Sequence, residues 1–414
     1  MSVVRRSLAP LVLLLAAACR EPAGPGSQPL LETLPRALTA GERQTIAASN
    51  DFSLALFRAV NARKAGENVV ISPFSASVAL GMTMNGADGA TLDAMQRTLG
   101  VAGRPLAEVN AAYRDLTRLL LELDGSVELR SASSIWYRQG VPFEPAFLET
   151  SRTMFGAEVR AADFGDEAGT LRAINGWASD RTNGKIETVL ETISPDEVMF
   201  LLNALYFKGA WRTQFDPART RPAPFRLADG SVREVPTMSR EKARLRVGAS
   251  DGVEVGELAY GRGAFVMTIL LPPPGGSADA LVASLTPARW EQLLATLAER
   301  ELDVHLPRFR LEYEDEWKDV LTTLGMGVAF DDAAADFSRL SPLGRDMFLT
   351  FVKQNVFIDV NEQGTEAAAV TTVGVGLTSL PPSFRVDRPF VFAIRERLSG
   401  AVLFVGKVAE VAGA

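Results

Sequence analysis

The chain has 414 residues, of which 47% are hydrophobic and 22% are charged, and its formal net charge is −7 at pH 7. This length and apolar content supply a core for one large domain or two moderate ones. The acidic balance argues against a nucleic-acid-binding protein, because no basic stripe is present to displace counterions from phosphates. It also disfavours a general affinity for anionic lipid surfaces.

The N-terminus has the pattern of an export signal. Two arginines precede an apolar run, Leu8 to Ala18, which is too short to span a bilayer. Small residues directly before Cys19 resemble the bacterial lipobox, although Ala16 stands where that motif usually has Leu. We expect a lipoprotein-type signal peptide over 1–18 and a lipid anchor at Cys19 at the cell envelope, facing the periplasm or the cell surface. Cleavage without lipidation, which gives an extracellular protein, is the alternative.

Cys19 is the only cysteine, so an exported chain forms no intrachain disulfide and its fold relies on the hydrophobic core. The segment from Glu21 to Pro29 is rich in Pro and Gly and poor in apolar residues. We therefore predict a flexible tether over 19–42. A single domain is predicted over 43–412, because no interior linker divides the chain.

Helical periodicity predicts a first helix around Phe52, Leu56 and Val60, begun by the capping residues Asn50 and Asp51. Further helices are predicted at 73–86, 91–99, 106–123, 144–155, 168–181, 277–300 and 315–325. Strands are predicted at 127–137, 198–207, 253–260, 265–271, 302–311, 348–360, 389–394 and 402–408. Helices concentrate in the first half and strands in the second, without regular βαβ alternation. This order indicates an α+β fold.

No set of residues indicates catalysis. The single histidine, His305, alternates with apolar residues and is predicted to lie on the polar face of a strand. No Gly-x-Ser-x-Gly or Ser-x-x-Lys motif accompanies it. One histidine and one cysteine also exclude a thiolate and imidazole zinc site. We therefore expect neither an enzyme nor a cofactor.

The segment 362–382 is unusual for a connection in a compact domain. About twenty residues with mostly small, uncharged side chains follow the predicted strand 348–360. From Thr365 onward, alternation places the only charge, Glu366, on one face and leaves the other face free of ions. Gly364 provides a hinge before this run. The segment can therefore be an exposed loop or a buried strand; an ordinary mobile loop is the alternative.

Four motifs, in chain order, resemble those of the serpin family. They are Asn68-Val-Val-Ile-Ser-Pro-Phe-Ser75, Leu202-Asn-Ala-Leu-Tyr-Phe-Lys-Gly-Ala-Trp211, Asp359-Val-Asn-Glu-Gln-Gly-Thr-Glu-Ala-Ala-Ala369 and the C-terminal segment 384–408. The resemblance covers about residues 45–410. It implies the serpin fold, an α+β domain with three β-sheets, about eight or nine helices and an exposed reactive-centre loop.

The resemblance also implies a function. Serpins of the inhibitory type are monomers that trap serine proteases covalently when the cleaved loop inserts into the central sheet. The hinge implied by the third motif comprises Glu362, Gly364, Thr365, Glu366, Ala367, Ala368 and Ala369. The shutter and breach residues implied by the resemblance are Ser72, Ser75, Asn203, Trp211 and Gln354. Gln354 stands where many members of the family have a histidine, and its amide can still hydrogen-bond to Asn203 or Ser72.

The family's register places the bait bond between Thr378 and Ser379, because Thr378 is the seventeenth residue when Glu362 is counted as the first. A small β-branched bait suits elastase-like or subtilisin-like proteases. If the register differs by one residue, Leu377 is the bait and chymotrypsin-like proteases are the targets. A non-inhibitory binding or surface protein with the same fold is the alternative function.

Overall fold

The computed structural model describes residues 28–365 and 382–412. Within them, the helices are α1 Ala40–Arg63, α2 Pro73–Met84, α3 Gly89–Thr98, α4 Leu106–Glu122, α5 Pro145–Phe155, α6 Glu167–Arg181, α7 Ala278–Ser284, α8 Pro287–Ala295 and α9 Lys318–Leu321. The strands are β1 Val69–Ile71, β2 Val127–Arg138, β3 Glu158–Ala162, β4 Met199–Ala210, β5 Arg221–Arg226, β6 Val232–Ser250, β7 Val253–Ala259, β8 Phe265–Leu271, β9 Ala298–Pro307, β10 Phe309–Glu316, β11 Lys353–Asn361, β12 Gly364–Thr365, β13 Ser383–Arg385, β14 Phe390–Glu396 and β15 Val402–Val408.

The described strands form two hydrogen-bonded sheets. The six-stranded sheet has the order β10-β11-β12-β4-β2-β3. The nine-stranded sheet has the order β1-β15-β14-β8-β7-β6-β9-β13, and β5 also pairs with β6. Strand β6 has 19 residues and pairs with β5 at its start and with β7 at its end. Two of the three expected sheets are therefore continuous through this one shared strand, and the α+β class is confirmed.

Two apolar clusters lie on opposite sides of the six-stranded sheet. The main core contains side chains from α1, α2, α4 and both sheets. A smaller cluster, which includes Trp136, Ile174, Trp177 and Phe200, packs α6 against the opposite face. Strand β4 alternates between these clusters, because successive side chains of a strand point to opposite faces. Its Asn203 side chain points toward α2, whereas its Phe200 side chain contacts the α6 cluster.

The first helix begins earlier than predicted. Thr39 accepts a hydrogen bond from the backbone N–H of Glu42, and the Glu42 carboxylate accepts one from the Thr39 N–H. This capping box starts α1 at Ala40, so Asn50 is not a cap. The Asn50 amide instead binds Gly400 and Val402 beside β15. Residues 40–42, assigned above to the tether, belong to the helix.

Two predicted elements are each divided in the structure. The predicted helix 277–300 is divided into α7 and α8, because Pro287 holds Thr286 in an extended conformation. The last three residues of the predicted helix, 298–300, belong to β9. The predicted strand 302–311 is β9 followed by β10, and these lie in different sheets. The long strand β6 was not predicted from the sequence.

Candidate functional site

The predicted hinge enters the six-stranded sheet as the short strand β12. Gly364 lies opposite Ala210 of β4 and Asn361 of β11, and Thr365 lies opposite Gly209 and Val360. Thr365 is only 2% exposed. Its hydroxyl hydrogen-bonds with the Tyr260 hydroxyl at 2.9 Å. One strand width therefore separates β4 from β11 at this point.

Gly364 has a backbone conformation that other residues rarely adopt, with φ of 150°. A Cβ atom at this position would lie 2.0 Å from the carbonyl oxygen of Gly209. Glycine is therefore required where the hinge turns from β11 into the sheet.

The acid at the start of the hinge is held by partners that the sequence did not suggest. The Glu362 carboxylate accepts a hydrogen bond of 2.6 Å from the Thr220 hydroxyl and lies 3.4 Å from the Arg308 guanidinium. Its backbone carbonyl accepts a hydrogen bond from Phe215 N–H at 2.8 Å. Because Glu362 is 5% exposed, these partners compensate the loss of hydration.

An aromatic pair lies directly beside the hinge, and we call Trp211, Tyr260 and Thr365 the breach cluster. The Trp211 and Tyr260 rings stack with centroids 4.4 Å apart. The Trp211 indole N–H donates to the Asn361 carbonyl at 2.8 Å, and its backbone N–H donates to the Gln363 carbonyl at 2.6 Å. Trp211 was implied by the resemblance, whereas Tyr260 carried no signal beyond ending a predicted strand.

The shutter residues form two hydrogen-bonded groups in the same sheet, six residues along β4 and β11 from the partners of Thr365. The Gln354 amide donates to the Ser72 carbonyl at 2.8 Å and accepts from the Ser72 N–H at 2.7 Å, so it joins β11 to the start of α2. The Ser75 hydroxyl donates to the Asn203 side-chain oxygen at 2.6 Å. The Asn203 amide donates to the Ser133 hydroxyl at 2.9 Å. Of the two partners considered for Gln354, the contact is with Ser72.

We expect Gln354→Ala to lower the free energy of unfolding by about 2 kcal/mol, because the buried Ser72 N–H loses its acceptor. Chemical denaturation monitored by circular dichroism measures this loss. Asn355→Ala, on the opposite face of the same strand, removes only exposed hydrogen bonds to Glu314 and Thr188; it is the control and should change stability by less than about 0.5 kcal/mol. Equal effects of the two substitutions would contradict a structural role for the Gln354 amide.

His305 lies on the polar face of β9, as its alternation predicts, with Leu302, Val304 and Leu306 buried. Its Nδ1 is 3.0 Å from the Ser239 hydroxyl. Burial and the neighbouring Arg385 lower the pKa of His305 below 6.5, despite the opposing charges of Asp303 and Glu241.

This depressed pKa predicts a pH dependence of stability. The unfolded chain binds the His305 proton more tightly, so its contribution is complete above pH 6.5 and decreases as the pH falls toward the folded pKa. We expect His305→Gln to lose less stability than the parent between pH 7 and pH 5.5. Chemical denaturation at both pH values measures the free energy of unfolding of each protein. Because both proteins contain the same carboxylates, protonation of these groups cancels in the comparison. Identical pH slopes would refute the prediction.

Several predicted site residues lie outside the described residues. These are Cys19, Glu366, Ala367, Ala368, Ala369, Leu377, Thr378 and Ser379. Within residues 28–365 and 382–412, no group of His, Cys, Asp and Glu side chains could hold a metal ion. No helix in the described part of the chain is long and apolar enough to cross a membrane.

Comparison with known proteins identifies the family. The family model for serpins (serine protease inhibitors) matches residues 47–411. Iripin-3 of Ixodes ricinus is 36% identical over 370 residues, which is 87% of this chain and 93% of Iripin-3. The native structure of the thermophilic serpin Tengpin has a TM-score of 0.80 and 29% identity, covering 93% of this chain and 97% of its own. The chain belongs to the serpin family of serine protease inhibitors, which is not a family of enzymes.

A protein that binds a small molecule is similar as well. The complex of thyroxine-binding globulin with thyroxine has a TM-score of 0.80 and 25% identity, covering 89% of this chain and 99% of its own. Iripin-3 comes from a eukaryote and therefore gives no support to the expectation of a bacterial lipoprotein, which stays a prediction.

Proposed function

We propose that this serpin is an inhibitor that traps serine proteases covalently by inserting its cleaved reactive loop into the six-stranded sheet. The observation that carries the proposal is β12, which already lies between β4 and β11 in the register that a longer inserted strand would continue. The hinge residues after it are small, and small side chains keep the cost of burial low. A charged or bulky hinge would oppose this movement.

Continuing the β12 register gives each loop residue a specific neighbour. One residue beyond Thr365, Glu366 would lie opposite Lys208 of β4 and Asp359 of β11, on the face away from the breach cluster. Six residues beyond Thr365, Thr371 would lie opposite Asn203 and Gln354. The Thr371 hydroxyl would then lie near the side-chain amides of Asn203 and Gln354, so insertion would bury this hydroxyl beside groups that can hydrogen-bond with it.

In the proposed reaction, the serine hydroxyl of the target protease attacks the carbonyl carbon of Thr378. The bond from Thr378 to Ser379 breaks, the amine of Ser379 leaves with the hydroxyl proton, and an ester joins Thr378 to the protease. Residues 366–378 then insert behind Thr365, so that the segment 365–378 forms a strand of roughly 46 Å, at ~3.3 Å per residue. This displacement is comparable to the diameter of a protease and carries the acyl-enzyme to the far end of the sheet, where distortion of the protease prevents hydrolysis of the ester.

The bait residue determines which proteases are trapped. Thr378 suits the small pockets of elastase-like and subtilisin-like enzymes, and Leu377 would suit chymotrypsin-like enzymes. No Arg or Lys occurs between 362 and 382, so trypsin-like proteases are poor targets. The alternative is a non-inhibitory serpin that binds a ligand, as thyroxine-binding globulin binds thyroxine. The small hinge residues favour inhibition.

The decisive experiment is a denaturing gel after incubation with elastase, subtilisin and chymotrypsin in turn. Inhibition predicts a covalent band of the combined mass, together with a C-terminal peptide whose first residue, read by mass spectrometry, is Ser379. A peptide that begins at Thr378 would assign the bait to Leu377. If all three proteases give only cleavage or no reaction, inhibition of these proteases is refuted.

We also propose that the chain is exported and anchored to the cell envelope through lipidated Cys19. The support is the charged start, short apolar run and small residues before this cysteine. After expression of the full chain in a bacterial host, intact mass should show a diacylglyceryl group, and the protein should enter the detergent phase. Cys19→Ser should abolish both. An unmodified Cys19 or cleavage before another residue would refute the anchor.

A further inference from the structure

Residues 28–38, which we call the N-terminal strap, bind the folded domain next to the breach cluster. Leu31 makes two backbone contacts, because its N–H donates to the Arg262 carbonyl at 2.8 Å and its carbonyl accepts from the Arg397 guanidinium at 2.9 Å. The Arg262 Nε donates to the Pro29 carbonyl at 3.2 Å. The Arg212 guanidinium donates to the Gln28 carbonyl at 3.1 Å. Three arginines from three separate segments therefore hold one short stretch of backbone.

Two of these segments continue directly from the breach cluster. Arg212 follows Trp211, and Arg262 lies two residues after Tyr260. Around them, the Arg212 N–H donates to the Ala259 carbonyl at 2.8 Å, and the Gly261 N–H donates to the Ala210 carbonyl at 2.9 Å. These bonds join the end of β4, in the six-stranded sheet, to the turn between β7 and β8, in the nine-stranded sheet. The strap lies at this junction, because Arg212 binds it from the end of β4 and Arg262 binds it from the turn between β7 and β8.

Apolar contacts and an ion pair anchor the other end of the strap. Leu31, Leu34 and Leu38 are half-buried and pack against the main core. The Arg36 guanidinium forms two hydrogen bonds with the Glu42 carboxylate, one of 2.8 Å and one of 2.5 Å, and the Glu42 side chain is only 1% exposed. The strap is thus attached to α1 at one end and to the breach at the other.

We propose that the N-terminal strap holds the breach closed and thereby slows the opening of the sheet that loop insertion requires. Loop insertion parts β4 from β11, and a movement of the end of β4 away from the turn between β7 and β8 would break the contacts of Gln28 with Arg212 and of Leu31 with Arg262. The strap therefore adds its own contacts to the barrier for opening. This regulatory role rests on the proposed inhibitory function, but its effect on breach opening is measurable without any protease.

Hydrogen exchange of the full chain tests the strap directly. The Trp211 and Phe215 amides donate to hinge carbonyls, so their exchange reports opening of the breach. In the double variant Leu31→Ser and Leu34→Ser, we expect these amides to exchange about tenfold faster, because the strap loses apolar contacts. Glu32→Ser with Thr33→Ser changes the exposed neighbours and should leave exchange unchanged.

Two results would overturn the proposal. One is unchanged exchange at Trp211 and Phe215 in the leucine variant. The other is equal acceleration at these amides and at those of β8, which would assign the strap to global stability alone. If a trapped protease has been found, the leucine variant should also lose trapping competence about tenfold faster during incubation. The exchange result stands even if no protease is trapped.

Discussion

Thr365→Arg should convert the inhibitor into a substrate, so that proteases cleave the loop and are released. Thr365 already lies in the sheet, 2% exposed beside Tyr260, so an arginine there would displace β12 from the sheet, and insertion would then have to bury its unpaired charge among these groups. A penalty of about 3 kcal/mol on insertion would shift the partition between trapping and release by about 100-fold. The stoichiometry of inhibition, measured by titrating protease with inhibitor, should rise accordingly.

Glu366→Arg is a matched control, because it introduces the same side chain one residue later. Continued from β12, the strand register would place position 366 on the opposite face, near Lys208 and Asp359 and away from Tyr260. This variant should retain most of its trapping activity. Trapping that is unchanged in Thr365→Arg, or lost equally in both variants, would contradict insertion in the register that β12 defines.

Replacing the bait should redirect the inhibitor to a different class of protease. In Thr378→Arg, the side chain fits the acidic pocket of trypsin-like enzymes, which the parent loop cannot occupy. We expect a covalent complex with trypsin where the parent forms none, with a gain in the association rate of at least about 100-fold. The complex with elastase or subtilisin should decrease in parallel.

Leu377→Arg distinguishes the two possible registers. If Thr378 is the bait, Leu377→Arg should be cleaved by trypsin one residue early and released with little trapping. If Leu377 is the bait, this variant and not Thr378→Arg should form the trypsin complex. Failure of both variants to trap trypsin, while elastase or chymotrypsin still forms a complex, would mean that the bait lies elsewhere in 362–382.

Sequence patterns predicted the parts of the fold that depend on local chemistry. Strand β8 has the bounds that its apolar run predicted, and His305 lies on the polar face of β9 as alternation required. Predictions of helix bounds were wrong where we overlooked a stronger capping or helix-breaking residue nearby in the sequence. Thr39 and Glu42 start α1 ten residues before the capping residues we favoured, and Pro287 divides a helix that periodicity alone would continue.

The partners of the candidate site could not be predicted in the same way. Thr365 binds Tyr260 across 105 residues of sequence, and only the family resemblance, not a local pattern, offered Ser72 as a partner of Gln354, 282 residues away. Such pairs leave no periodic signal, because they arise only when distant segments pack together. The same is true of Arg308 beside Glu362 and of the strap, where three arginines bind backbone carbonyls that every sequence possesses.

Residue order is enough to infer the family, the small side chains of the hinge and the separation of Glu366 from the face that Thr365 shares. Those properties follow from residue type and from the two-residue period of a strand. The folded structure was needed to show that the hinge begins as β12 between β4 and β11, that Tyr260 and Arg308 hold it, and that residues 28–38 lie across the breach. These features depend on which surfaces meet, and contacts between distant segments form only in the folded chain.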